Sequence, residues 1–181
     1  MEYINTLTDK DIFKNPEFEK PDVFEHRTTV KAVVVNAEGK FGFVTNPKHG
    51  FYLLPGGGAE TNDLNEEIIR ECDEEINYVV EVVEEIGRIH EFRNKKAKEY
   101  ETVCFVVKTV KESPDDNRTE DEKDNGLHVV WLDKEKAIKI LNEQVEKVRA
   151  DQVGFYNTAF NIIRDSEFFS KYLEKLNFRE S

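Results

Sequence analysis

Glu71, Glu74 and Glu75 follow one another within little more than a helical turn. They come soon after three consecutive glycines, Gly56, Gly57 and Gly58, in the segment LLPGGGAETNDLNEEIIRECDEEIN (residues 53–77). Like charges three and four residues apart oppose helix formation by about 0.2–0.5 kcal/mol per pair. A hard divalent cation reverses that penalty, because Mg²⁺ and Mn²⁺ prefer oxygen donors. Backbone free of Cβ atoms beside the carboxylates can bring carbonyls and amides close to a metal-bound phosphate. The competing reading is a solvated acidic helix face with no ligand.

The elements that must position these groups are legible around them. Leu64, Ile68, Cys72 and Ile76 recur every four residues as an apolar stripe, with Glu67, Glu71, Glu74 and Glu75 on the adjoining face. Asp63 is a good N-cap, and Glu66 three residues later completes a capping-box pattern. Asn77 suits the left-handed residue that ends a helix. TTVKAVVVN (28–36), FGFVT (41–45), FYLLP (51–55), VVEVVEEIGRIHEFR (79–93), TVCFVVKTV (102–110) and LHVVWL (127–132) read as strands, the long fourth one bent near Gly87. KESPDDNRTEDEKDNG (111–126) is a long polar loop. Asp133 caps a helix over KEKAIKILNEQ, and residues 150–177 form one or two amphipathic helices. Strands mixed with helices predict an α+β or α/β sandwich with mixed strand pairing. Its parts are an N-terminal arm (1–27), a central domain (28–143) and a helical C-terminal extension packed on that domain (144–181).

The whole chain bounds the partners. A formal charge of −12 argues against a nucleic-acid polymer, whose phosphates are bound through Lys and Arg. It leaves room for a small phosphorylated ligand bridged by metal. No apolar run reaches the length of a membrane span, and no secretory signal is evident. Cys72 and Cys104 have no zinc-type spacing and read as buried reduced thiols in a cytoplasmic protein. His26, His49, His90 and His128 show no ligand spacing either.

The glycine-to-glutamate segment resembles the Nudix box, G-x5-E-x7-R-E-U-x-E-E-x-G-U with U a bulky apolar residue. Arg70 and Glu71 match its R-E, Cys72 takes the apolar place, and Glu74 and Glu75 match its E-E. The LPGGGAE lead-in and VVWLDKEKAIKIL near the end are also similar to family members. The resemblance covers about residues 28–143. Counted from Gly57, Asp63 stands where the box has its first glutamate, and Arg70 follows one residue sooner than the pattern asks. Asn77 replaces the box glycine.

The resemblance implies a mixed β-sheet sandwiched between helices, here with extra C-terminal helices. It also implies hydrolysis, by water attack on phosphorus, of a diphosphate linkage in a nucleoside diphosphate joined to another group. Mg²⁺ or Mn²⁺ would be held by Glu71, Glu74 and Glu75, with a carbonyl of Gly56 or Gly57 as a further ligand. Arg70 would orient the box carboxylates. The general base would be a box glutamate or an acid of the later loop, Glu120 or Glu122. Glu60 would support the glycine loop and Asp63 would cap the helix without binding metal. Phe51 and Tyr52 could stack a base, although aromatics in short strands more often fill a core. The alternative to turnover is a Nudix-fold module that binds a nucleotide without cleaving it. GFYNTAFNII (154–163) offers either a homodimer contact or packing on its own domain.

Overall fold

The computed structural model describes residues 2–48 and 50–180, with the side chains of Asp121, Glu122 and Glu180 outside the description. His49 also lies outside the described residues. Six strands form one mixed sheet in the order β1-β4-β5-β2-β3-β6. They are β1 (Tyr3–Thr8), β2 (Glu25–Val35), β3 (Phe41–Thr45), β4 (Tyr78–Arg93), β5 (Lys98–Glu112) and β6 (His128–Leu132). The helices are α1 (Asp9–Ile12), α2 (Leu64–Ile76), α3 (Glu120–Asp124), α4 (Lys134–Arg149) and α5 (Tyr156–Glu180). β2 runs parallel to β5 and β1 parallel to β4, while the other neighbours are antiparallel.

Period-two alternation along the central strands sends side chains to two different layers. Val30, Ala32 and Val34 of β2 join Val103, Phe105 and Val107 of β5 on one face, where Ile68, Cys72 and Ile76 of α2 cover them. Val33, Cys104 and Val106 belong to the opposite cluster, with Leu141 of α4 and Phe160, Phe168 and Phe169 of α5. The predicted sandwich therefore holds, with α2 on one side and α4 and α5 on the other. The cysteines are free and buried. Burial pushes both thiols well above their ordinary pKa, so they stay protonated and serve as small apolar groups.

The N-terminal arm packs on the sheet: β1 adds an edge strand beside β4, and Leu7 and Ile12 are buried in the core. α4 runs through the 143/144 boundary to Arg149, and the C-terminal extension that packs on the domain is one long helix, α5. Within GFYNTAFNII, Ala159, Phe160 and Ile162 are buried against the chain's own core. Phe51 and Tyr52 pack partly buried on the same core. The bend in β4 is real: the register shifts between Glu85 and Gly87, and Gly87 has φ +155°.

Candidate active site

The segment expected as a third strand, FYLLP, makes only one bridge to β3, between Val44 and Leu53. It then crosses to β2, where Ala32 N–H donates to Pro55 O at 3.0 Å and Val30 N–H to Gly57 O at 2.9 Å. Two residues force the change of partner. Pro55 has no N–H for a ladder, and Gly56 has φ +129°, a region closed to side chains. A Cβ at Gly56 would lie 2.1 Å from the Val30 carbonyl oxygen. The crossing lays Gly56 and Gly57 against the acidic face of α2.

That helix is bounded as its caps predict. Asp63 accepts from the N–H groups of Asn65 and Glu66, and Asn77 is left-handed with φ 59°. Asp63 thus spends its carboxylate on the cap. Glu75 turns back to the glycine loop and accepts the Gly56 N–H at 2.6 Å. Glu71 is almost buried and sits so close to Gly57 that a Cβ there would approach its Oε2 to 2.6 Å. Burial holds the Glu71 carboxyl above the usual carboxylate range, against the pull of Arg70.

Arg70 occupies the middle of the cluster. Its Nη2 donates to Glu67 Oε2 at 2.8 Å and to Glu71 Oε1 at 2.7 Å, and its Nη1 to Glu74 Oε2 at 2.8 Å. A planar guanidinium with five donors suits this fan, which an ammonium would not reproduce. Two of the box carboxylates that Arg70 was expected to orient, Glu71 and Glu74, are thus among its acceptors. With Glu71 and Glu74 turned to Arg70 and Glu75 to Gly56, no three candidate ligand side chains converge on one centre among the described residues.

Two groups at this site were not picked out by sequence reasoning. Glu67 is 3% exposed and anchors Arg70, while accepting the Thr61 N–H at 2.9 Å. The Arg70 hydrogen bond, with help from backbone at Glu60 and Thr61, holds its carboxyl down at about 2. The available signal was its place three residues before Arg70 on the acidic face. Lys31 is the other: buried at 9% exposure, its Nζ donates to Leu54 O at 3.0 Å and to Gly56 O. A lone Lys inside the β-branched run of β2 was the clue.

The remaining candidates lie apart from the fan. Glu60 is exposed, and its backbone rather than its carboxylate helps hold Glu67. The Glu120 side chain is 89% exposed and 3.8 Å from Lys123. Glu122 lies outside the described side chains. The loop that carries them is tied to α2, because Ser113 and Asn117 both donate to Asp73.

A glycine loop folded onto an E-x2-R-E-x2-E-E helix over a mixed sheet is what the resemblance implies, and comparison decides the point. The family described as the NUDIX domain matches residues 25–153. The chain belongs to the NUDIX domain family. It is accordingly an enzyme of the pyrophosphohydrolase type, related to hydrolysis of nucleoside diphosphate derivatives. No curated protein matches the chain. Among solved structures, a NUDIX hydrolase from Nitrosomonas europaea is similar at 16% identity and TM-score 0.53, with 79% of this chain and 91% of that one covered. A MutT protein from Methanosarcina mazei Go1 is similar at 18% identity and TM-score 0.43, over 82% and 97% of the two chains. At its identity the Nitrosomonas europaea likeness speaks for the fold alone. β1, α1 and α5 lie outside the residues that the family match spans. No helix among the described residues is long and apolar enough to cross a membrane.

Proposed function

We propose that this Nudix protein is a Mg²⁺- or Mn²⁺-dependent hydrolase that cleaves the diphosphate linkage of a nucleoside diphosphate joined to another group. The observation that carries the reading is charge. Glu67, Glu71 and Glu74 surround the Arg70 guanidinium and Glu75 sits on the Gly56 N–H, so four formal negative charges meet two positive ones, Arg70 and the buried Lys31 ammonium, and two remain. The donor chemistry fits a hard divalent cation, since carboxylate and carbonyl oxygens are the only ligands offered. Burial raises the Glu71 pKa even against Arg70 and Lys31, and a bound cation would favour its charged form.

Glu71, Glu74 and Glu75 would hold the ion, with the carbonyl of Gly56 or Gly57 as a further donor. The bound ion would polarise the P–O bonds and lower the pKa of its water. The chain's own residues do the rest. Glu67 fixes Arg70, and Arg70 sets the rotamers of Glu71 and Glu74 before substrate arrives. Glu75 and the Gly56 N–H hold helix and loop at a fixed separation. Proton removal from water falls to a box carboxylate. Glu120 is too exposed in this arrangement to be preferred. The acidic surface, at −12 overall, favours a small metal-bridged substrate over a polymer, and the cytoplasm is the compartment we infer.

The test is hydrolysis of a panel of nucleoside triphosphates, dinucleoside polyphosphates, ADP-ribose and nucleotide sugars with Mg²⁺ or Mn²⁺. Glu74→Gln and Glu75→Gln should each lower the rate at least about a hundredfold, near 2.7 kcal/mol of transition-state stabilisation. Rates near the parent's for both variants, on a substrate the parent turns over, would refute the assignment.

A further inference from the structure

Arg164 and Asp165 are adjacent charged residues on α5, in the stretch NIIRDSEFF, yet they are only 3% and 0% exposed. Buried charges persist only when paired and hydrogen-bonded. Here Arg164 Nε donates to Asp165 Oδ1 at 2.9 Å and Nη1 to Glu91 Oε2 at 3.3 Å. Glu91, fully buried on β4, also receives Arg93 Nη2 at 2.7 Å and the Thr102 hydroxyl at 3.2 Å. Two acids and two arginines close a neutral set between sheet and helix. An apolar cluster of similar volume would serve stability as well, so the set has to be read by what it touches.

Asp165 touches the glycine loop. Its second oxygen, Oδ2, accepts the Leu54 N–H at 2.9 Å. The carbonyl of the same residue, Leu54, accepts from Lys31 Nζ at 3.0 Å, and that ammonium also grips the Gly56 carbonyl. The Gly56 N–H in turn donates to Glu75 at 2.6 Å. Every step in this series is buried or half-buried, and none is a surface contact screened by water. The series starts on α5, outside the residues matched by the family, and ends on the acidic helix across the sheet.

We propose that Asp165 is a positioning residue for hydrolysis: through the Leu54 backbone and the Lys31 ammonium it fixes the Gly56 peptide, and with it Glu75, in the geometry the reaction needs. The C-terminal helix thereby sets the active-site loop and is more than a cover for the core. This inference rests on the metal-site reading of Glu71, Glu74, Glu75 and Gly56 given above. Misplacement by about 1 Å far from the chemistry can cost about a hundredfold in rate, and the relay is the part of the fold able to cause it.

The experiment compares Asp165→Asn, Lys31→Met and their double variant with the parent. Each single change should lower kcat between about tenfold and a hundredfold with KM little altered, the pattern of an interaction needed in the transition state. Each should also shrink the rise in Tm that Mn²⁺ alone produces in substrate-free protein. The double variant should be no worse than the poorer single, because both act through the same peptides. Leu176→Ala removes core volume from α5 about three turns beyond Asp165, and should lower Tm while leaving kcat unchanged. Parental kcat and Mn²⁺ shift in the single variants, or additive losses in the double, would overturn the proposal. If Asp165→Asn does not fold, Lys31→Met decides alone: an unchanged kcat and Mn²⁺ shift sinks the relay. Glu74→Gln and Glu75→Gln run beside them separate the two readings. If those keep full rate, the site itself is wrong; if they lose it while the relay variants do not, only the relay fails.

Discussion

Three adjacent glycines in one loop should respond to alanine in three different ways, because the space beside each is different. Gly58 is exposed, with nothing within 4 Å of an added Cβ, so Gly58→Ala should leave rate and Tm near the parent values. Gly57 has no positive φ, and the atoms nearest an added Cβ belong to the end of the Glu71 side chain, at 2.6 Å. Restoring ordinary contact at 3.4 Å requires a shift of 0.8 Å, the difference between the two distances. A carboxylate can move that far by rotating, and the loss of chain entropy from Gly→Ala offsets about 0.4–1 kcal/mol of the strain. Stability should therefore change little. Rotation, however, pulls Glu71 from its 2.7 Å bond with Arg70 and from its place in the ligand set. Displacement of this size should lower the rate by about tenfold to a hundredfold. Gly56→Ala fails differently, since its φ of +129° and a 2.1 Å contact with the Val30 carbonyl are backbone constraints. Strain alone costs about 1–3 kcal/mol, roughly 2–12 °C in Tm for a chain of this size, before the loop separates from β2. Initial rates with Mg²⁺ and thermal melts on the three variants decide it. A Gly57→Ala protein with full rate, or one that unfolds as Gly56→Ala does, would refute the reasoning.

Two further outcomes can be checked with the same assays. Asp63→Ala should cost about 1 kcal/mol through loss of the cap, with only a modest loss of rate; a fall in rate like that of Glu74→Gln at unchanged Tm would show that Asp63 is a ligand. Glu67→Gln removes the charged anchor of Arg70, worth about 1.5–3 kcal/mol, and should lower the rate because Glu71 and Glu74 lose their orienting partner. The Glu67 carboxyl is held at about 2, below its ordinary 4.5, so its contribution to stability is complete above about pH 4.5. That contribution fades as pH falls through about 2. The stability gap between parent and Glu67→Gln should close over that window, and a gap independent of pH would contradict the pairing.

The helix that carries the carboxylates was legible because its signals are local. Asp63 supplies the cap and Asn77 the left-handed stop, and both hold in the structure. β2 and β5 were legible for the same reason, through their runs of β-branched residues. What escaped the sequence depends on partners distant in the chain. YINTLT has one fully buried apolar residue, Leu7, and becomes a strand only because β4 offers a parallel edge. FYLLP has strand composition, but Pro55 and the positive φ of Gly56 turn it from β3 toward β2. Gln144 looks like a surface residue, yet its side chain is buried and bonds both the N–H and the carbonyl of Tyr52.

At the site the same distinction decides which charges matter. Helical spacing placed four glutamates on one face but could not sort them, because a charge pattern does not say which carboxylate faces a low-dielectric interior. The fold sorts them through their neighbours. Glu67 meets Arg70 and backbone N–H groups, and its pKa falls; Glu71 meets the same arginine but is desolvated against Gly57, and its pKa rises. Two like residues four positions apart, sharing one guanidinium, are thus driven in opposite directions. Glu67 becomes a permanent anion that anchors Arg70. Glu71 is left as a desolvated carboxylate whose charged form a cation would favour. The separation of roles comes from the approach of the glycine loop, and so from the contacts that hold that loop in place.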